Sequence, residues 1–312
     1  MERRDDSRQI FNVLASGLRG MIREHAVDIS MLQEIRLRTA QPFMIVYGGE
    51  EKILPDIRQP HIVTRDEMRE TMDYISHYSL YAYSNELKQG FVTIEGGHRV
   101  GVAGKVITEQ DKVKNIQYIS SVNIRISHEV IGCSDRLLPY ITKDRQICHT
   151  LFISPPGCGK TTMIRDLIRQ ISDGNDYIDG CSVGVVDERS ELGGCYMGIA
   201  QNNLGKRTDI LDCCPKVSGM LMLIRSMSPR VIAVDEIGSG EDVRAVEYAM
   251  QCGCKLIASV HSLDMEEALK KPVLGDLIRK RVFERYVVLG RKEHPGVIRE
   301  IYDERGRTLW KS

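Results

Sequence analysis

The chain has 312 residues, 42% of them apolar, and 43 Lys and Arg balance 43 Asp and Glu. That length accommodates two domains of ordinary size, and the apolar content argues against disorder. The charge balance excludes an overall basic field of the kind that supplies non-specific nucleic-acid affinity.

The opening segment "MERRDDSRQIFNVLASG" lacks a signal-peptide core, and no apolar run approaches the roughly 20 residues that span a bilayer, so the chain is expected to be cytosolic. Ile10, Phe11, Leu14, Leu18, Met21 and Ile22 recur at helical spacing and predict one amphipathic helix over 7–24. "EIRLRTAQPFMIVYGGEE" predicts strands around a turn at Ala40 to Pro42, closed by Gly48 and Gly49. Thr64 with Glu67 forms a capping box for a helix through Met68, Met72 and Ile75. "GFVTIEGGHRVGVAGKVI" is a hairpin around Gly96 and Gly97, and "ISSVNIRIS" is a further alternating strand. Residues 1–128 are thus expected to form a mixed α+β domain, with 129–146 as linker.

From 147 to 312 the pattern changes. "HTLFIS", "SVGVVD", "RVIAVDE", "KLIASVH" and "RYVVLG" are short runs apolar on both faces, separated by helical segments over 160–171, 215–227 and 240–251. Such alternation predicts an α/β domain with a mostly parallel sheet covered by helices on each side. A hairpin is expected around Arg305 and Gly306. The nine cysteines are dispersed and contain no C-x-x-C pair, which suits reduced thiols better than disulfides or structural zinc.

"LFISPPGCGKTT" runs from a strand through a glycine loop into a helix, the setting of a phosphate-binding loop. Ser154, Pro155, Pro156, Gly157, Cys158, Gly159, Lys160, Thr161 and Thr162 are the candidate nucleotide-binding residues. Gly157 and Gly159 let backbone N–H groups turn inward, and the helix N-terminus adds partial positive charge. Lys160 would reach the β- and γ-phosphates of ATP, Thr161 would place its hydroxyl on Mg²⁺, and Thr162 would add an α-phosphate contact. The competing reading is an ordinary Gly-Pro loop with a solvated lysine. Ser154 stands where the usual pattern has its first glycine. That position ends a strand, so ordinary extended dihedrals suffice; a positive φ there would cost a serine about 1–2 kcal/mol.

"VIAVDE" brings Asp235 and Glu236 to the carboxyl edge of the sheet, where ligands of such folds bind. Asp235 would hold Mg²⁺, and Glu236 could orient or deprotonate the attacking water; alone, such a pair is often a helix cap. "VGVVDERSEL" ends in Asp187, Glu188, Arg189 and Glu191, and "KLIASVHS" ends in Ser259, His261 and Ser262. His261 is a candidate sensor of the γ-phosphate or a structural strand-end histidine.

The order "SPPGCGKTT", "VVDERSEL", "VIAVDE", "ASVHS" resembles the RecA-like ATPases of type II and type IV secretion, with their Walker A, Asp box, Walker B and His box. With "GGHRVGVAGK" and "SSVNIRIS", it is more narrowly similar to the stage III sporulation protein AA family, over about residues 30–305. The resemblance implies a RecA-like P-loop NTPase domain preceded by a smaller N-terminal domain. It also implies a hexameric ATPase in the mother cell of an endospore former, docked on membrane channel proteins of the same operon. By the same resemblance Glu188 is the first choice for the Asp-box catalytic acid. Arg99 and Arg125 match the positions of arginines donated by the N-terminal domain, with Arg189 and Arg207 as further candidates. The alternative is a RecA-like nucleic-acid-binding ATPase or regulator, for which the 6% aromatic content offers little base stacking. Some plastid and cyanobacterial relatives carry a single-strand-binding domain after the ATPase, and this chain, ending at Ser312, is expected to lack it.

Overall fold

Ile10, Leu14, Leu18 and Ile22 recur every four residues and are fully buried, yet they do not lie on one helix. In the computed structural model, which describes residues 6–25, 27–56, 58–79, 83–88, 90–290 and 295–312, Ile10 is on α1 (Asp6–Asn12), Leu18 and Ile22 are on α2 (Ser16–Glu24), and Leu14 lies in the break between them. The helix breaks where the Ala15 N–H donates to Thr71 Oγ1 at 3.1 Å. A tertiary partner thus takes a donor that a continuous helix would have used internally.

The chain divides into two compact units, Met1–His128 and Glu129–Ser312. In the first, β1 (Leu32–Arg38), β2 (Met44–Tyr47) and β3 (Glu50–Ile53) precede a short pair, β4 (Pro55–Asp56) and β5 (Gln59–Pro60). Then come α3 (Arg65–Ile75), α4 (Ser84–Lys88), β6 (Phe91–Ile94), β7 (His98–Glu109) and β8 (Lys112–Arg125). The six longer strands form an antiparallel sheet in the order β3-β2-β1-β8-β7-β6. Its two-residue Gly48-Gly49 turn holds paired positive φ angles, the conformation that two-residue hairpins require, and Gly96 and Gly97, also at positive φ, lie in the three-residue loop between β6 and β7. The expected capping box is present at α3, where Glu67 N–H donates to Thr64 Oγ1 and Thr64 N–H to Glu67.

The second unit opens with α5 (Leu138–Ile141) and the small ladder β9 (Thr142–Lys143) and β10 (Gln146–Ile147). Leu137, Leu138 and Ile141, within the segment read as linker, belong to the core of this unit. Asp166 secures the same segment, accepting from Ser134 Oγ at 2.7 Å and from the Gly132 and Ser134 N–H groups. The main run is β11 (Thr150–Ser154), α6 (Lys160–Asp173), β12 (Val183–Asp187), β13 (Thr208–Asp212), α7 (Lys216–Ser226), β14 (Val231–Val234), α8 (Gly240–Gln251) and β15 (Lys255–His261). It continues through α9 (Met265–Lys270), α10 (Pro272–Arg279), β16 (Arg285–Gly290), β17 (Val297–Asp303) and β18 (Thr308–Lys311).

These strands form one eight-stranded sheet, β13-β12-β14-β15-β11-β16-β17-β18, parallel through β16 and antiparallel beyond it. Phe152 of β11 packs into the core on the α6 side, while Leu151 and Ile153 join the opposite core with Val246 and Ala249 of α8. Burying each such side chain contributes about 1.5–3 kcal/mol. The sequence reading missed β13, whose "TDILD" is too polar to register as a core strand. It sits at the sheet edge, where every residue is only half buried. No helix among the described residues is long and apolar enough to cross a membrane.

His98 is fully buried in the first unit, and its Nδ1 accepts from the Ser127 N–H at 3.1 Å. Burial, reinforced by His128, pulls its pKa down from 6.5 to about 4. Between those values the unfolded chain takes up a proton that the folded chain refuses, so this contribution is complete above the unfolded pKa and is lost as pH falls toward the folded one. It amounts to about 3 kcal/mol. The His98→Gln variant is expected to show a smaller loss of urea stability than wild type between about pH 7.5 and about pH 5. Equal losses would exclude His98 as a source of acid sensitivity.

Candidate functional site

β11 ends at Ser154, which is fully buried and has no positive φ. No glycine is needed there: Ser154 Oγ donates to Pro155 O, and Ser154 O accepts from the Ser262 N–H at 3.3 Å. The turning is done further on, where Gly157 and Gly159 have φ of 71° and 78°. Gly159 is the N-cap of α6. Pro156 and Gly157 are exposed, Pro155 is half buried, and Cys158 is buried behind them.

Lys160 follows as the first residue of α6 and is only 7% exposed. Its ammonium makes no ion pair or hydrogen bond among the described residues. Burial lowers its pKa, while Asp235, Glu236 and Glu191 pull it back up through space. A buried cation at a helix N-terminus, attracted by three carboxylates and in contact with none, has the chemistry to receive an anion. Thr161 and Thr162, on the first turn of α6, are half buried.

β14 delivers Asp235, buried to 7% exposure, with its carboxylate unpaired among the described residues. Burial and the negative charge of Glu191 raise its pKa, and Lys160 opposes them. Glu236 faces His261 Nε2 at 3.5 Å. The other ring nitrogen, Nδ1, lies 3.3 Å from Ser154 O. Both neighbours are acceptors, so the imidazole links the end of β11 to Glu236. Ser259 Oγ donates to the Asp235 carbonyl, which fixes the end of β14 from β15.

The Asp-box residues separate into different roles. Asp187 is fully buried, and its carboxylate accepts the Glu191, Leu192 and Gly193 N–H groups at 2.8, 2.9 and 2.7 Å. Burial nonetheless pushes its pKa up to about 7. It is the hub of its own loop. Glu188, the first sequence choice for the catalytic acid, pairs with Lys216 at 3.2 Å. Glu191 is the acid whose charge acts on both Lys160 and Asp235. The sequence signal for it was only its place four residues after the buried Asp187. Arg189 is exposed, and its charge also acts on Lys160 and Asp235.

The other arginines lie elsewhere. Arg207 donates from Nη1 to Ser172 O at 2.8 Å and so caps the carboxyl end of α6, the end opposite Lys160. Across a helix of 14 residues, with a rise of about 1.5 Å each, that places it far from Lys160 of its own chain. In the first unit Arg99 and Arg125 face each other across β7 and β8. Arg99 stacks on Phe91 with its guanidinium carbon 3.7 Å from the ring centroid, and Arg125 lies 3.5 Å from Glu34.

Residues 2–309 match the family described as Sporulation stage III, protein AA. The chain belongs to that family. It is 42% identical over 278 residues to Stage III sporulation protein AA of Bacillus subtilis (strain 168), covering 89% of each chain. In fold it is similar to the ATPase DotB of Yersinia pseudotuberculosis, with a TM-score of 0.60 at 15% identity, covering 97% of this chain and 80% of that one. It is likewise similar to the pilus retraction motor PilT with bound ADP, with a TM-score of 0.55 at 16% identity, covering 86% and 76%. The fold is therefore that of the RecA-like secretion ATPases, with a separate antiparallel N-terminal sheet.

The position of Arg207 gives a direct expectation. Arg207→Met should lower stability by about 1–2 kcal/mol, since two helix-end carbonyls lose their donor, while leaving ligand affinity at Lys160 unchanged. Thermal denaturation and equilibrium binding of an ADP analogue measure the two effects.

Proposed function

We propose that this member of the sporulation stage III protein AA family hydrolyses ATP and works as the motor of a secretion-like channel between mother cell and forespore. The observation that carries the reading is Lys160, a buried ammonium without a contacting counter-ion among the described residues, at the end of a glycine loop and within the field of Asp235. Membership of a sporulation family and the fold of secretion ATPases support it.

In this reading the amides from Gly157 to Thr161 and the Lys160 ammonium hold the β- and γ-phosphates. Thr161 and Asp235 would hold Mg²⁺, a hard cation suited to hydroxyl and carboxylate oxygen; when bound it neutralises charge between the phosphates. The Asp235 carboxylate, unpaired among the described residues, fits such an ion. Glu236 orients the attacking water and takes its proton, and Glu191 supplies a third negative charge acting on Lys160. His261 keeps Glu236 in register with the end of β11.

The chain assembles as a homo-oligomeric ring, a hexamer by its resemblance, docked peripherally on membrane channel proteins of the same operon. Arg99 and Arg125 of the N-terminal unit, or Arg189, supply positive charge to the transferring phosphoryl group across a subunit boundary.

The reading predicts loss of steady-state Mg-ATP turnover by roughly 100-fold or more in Lys160→Ala and in Glu236→Gln. Glu191→Gln should fall well below Glu188→Gln, whose loss is that of a half-exposed ion pair with Lys216. Undiminished phosphate release in the Lys160 and Glu236 variants would sink the assignment. Steeply salt-dependent stimulation by DNA would instead support a nucleic-acid motor.

A further inference from the structure

The phosphate loop is held from outside by a residue that no motif marks. β16 lies beside β11 in parallel register, so both strands exit at the same edge of the sheet. Beyond β16 the chain turns back through Pro295 and Gly296 into β17. At that turn the Gly296 N–H donates to the Cys158 carbonyl at 2.7 Å. The approach is close because both residues are glycine. A Cβ on Gly159 would stand 2.7 Å from Gly296 N and 3.0 Å from its Cα, and Gly296 itself has a φ of +84°.

We propose that Gly296 is a positioning residue for the phosphate loop, acting through the peptide that joins Cys158 to Gly159. The proposal rests on the nucleotide reading of the site given above. A trans peptide is planar, with its C=O and N–H pointing to opposite sides. Holding the Cys158 carbonyl outward against the β16–β17 turn therefore turns the Gly159 N–H the other way, into the hollow of the loop. Glycine-rich loops flip such peptides at little steric cost, since either orientation is open to them. A fixed external donor removes that freedom before the anion arrives, and a preorganised amide binds more tightly than one that must rotate first. The buried position of Cys158 adds a second reason, because a carbonyl withdrawn from water needs a partner.

The fold supplies its own control. Gly306, in the next turn of the same sheet between β17 and β18, has a φ of +76°, and a Cβ there would meet nothing within 4 Å. At Gly296 the nearest atom to an added Cβ is Met163 Cε at 3.8 Å, ordinary contact. Alanine therefore imposes similar backbone strain at either turn, but only at Gly296 does that strain fall on a donor to the phosphate loop.

The test uses the full chain, a fluorescent ADP analogue with Mg²⁺, thermal denaturation, and the Gly159 amide resonance in the ligand-free protein. The expectation is similar loss of thermal stability in Gly296→Ala and Gly306→Ala, with the Gly159 resonance moved only in Gly296→Ala. Affinity should fall about tenfold in Gly296→Ala, the worth of one charge-assisted hydrogen bond. It should stay within about twofold of wild type in Gly306→Ala. Equal affinities in the two variants, or an unmoved Gly159 resonance, would overturn the proposal. Lys160→Ala separates the two levels of argument. If it binds the analogue as wild type does, the nucleotide reading itself fails; if it loses binding while the glycine variants match each other, only the role of Gly296 fails.

Discussion

A lysine ammonium taken out of water and given no contact with a carboxylate among the described residues is the constraint around which the second unit is organised. Stranding a charge in a protein interior costs several kcal/mol unless something compensates. At Lys160 the compensation comes at a distance, from Asp235, Glu236 and Glu191, and from the sheet edge that gathers them. Had any of the three closed to an ion pair, the cation would be satisfied and the anion site filled by the protein itself. The glycines before Lys160 serve the same end, since they bring backbone donors to that point without adding side-chain bulk. Sheet order matters for the same reason: β11, β14 and β12, which carry these groups, all run parallel and end at one edge.

The spacing among the acids is set by a second buried charge. Asp187 gives up its solvent to three backbone N–H groups of its own loop, and Asp212 on the adjacent strand adds repulsion. A carboxylate used this way cannot also bind a ligand, but it fixes where the following residues go. Glu191 donates its N–H to Asp187, and its carbonyl accepts from Arg165 Nη2. The Glu191 backbone is thus held from both sides. Glu188 lies outside that framework and pairs with Lys216, which also approaches Asp242 at 3.6 Å. The run Asp-Glu-Arg-Ser-Glu therefore contains a structural hub, a surface ion pair and an acid whose charge reaches Lys160 within five positions.

Most of the architecture was legible because its signals are local. The Gly-Gly turns, the Thr64–Glu67 box and the doubly apolar strands each follow from a few neighbouring residues. What failed depended on distant partners. The break at Ala15 follows from Thr71, and β13 is polar because it lies at an edge that the sequence could not identify. The different surroundings of Glu188 and Glu191 were hidden for the same reason. Two acids three residues apart look equivalent until Asp187 is known to be buried and bonded forward. Arg207 is a parallel case, chemically suited to phosphate but spent on the far end of α6.

Ser154 shows how a departure from a motif can carry information about the site. The first glycine of the usual pattern is dispensable here because β11 continues through that position with ordinary dihedrals. The serine carbonyl is put to use, receiving the Ser262 N–H and facing His261 Nδ1. The imidazole couples Glu236 to the strand from which the glycine loop springs through a single side chain and two contacts. That coupling needs only the carbonyl of residue 154, which a glycine would also supply, so the serine substitution leaves the link between β11, His261 and Glu236 intact.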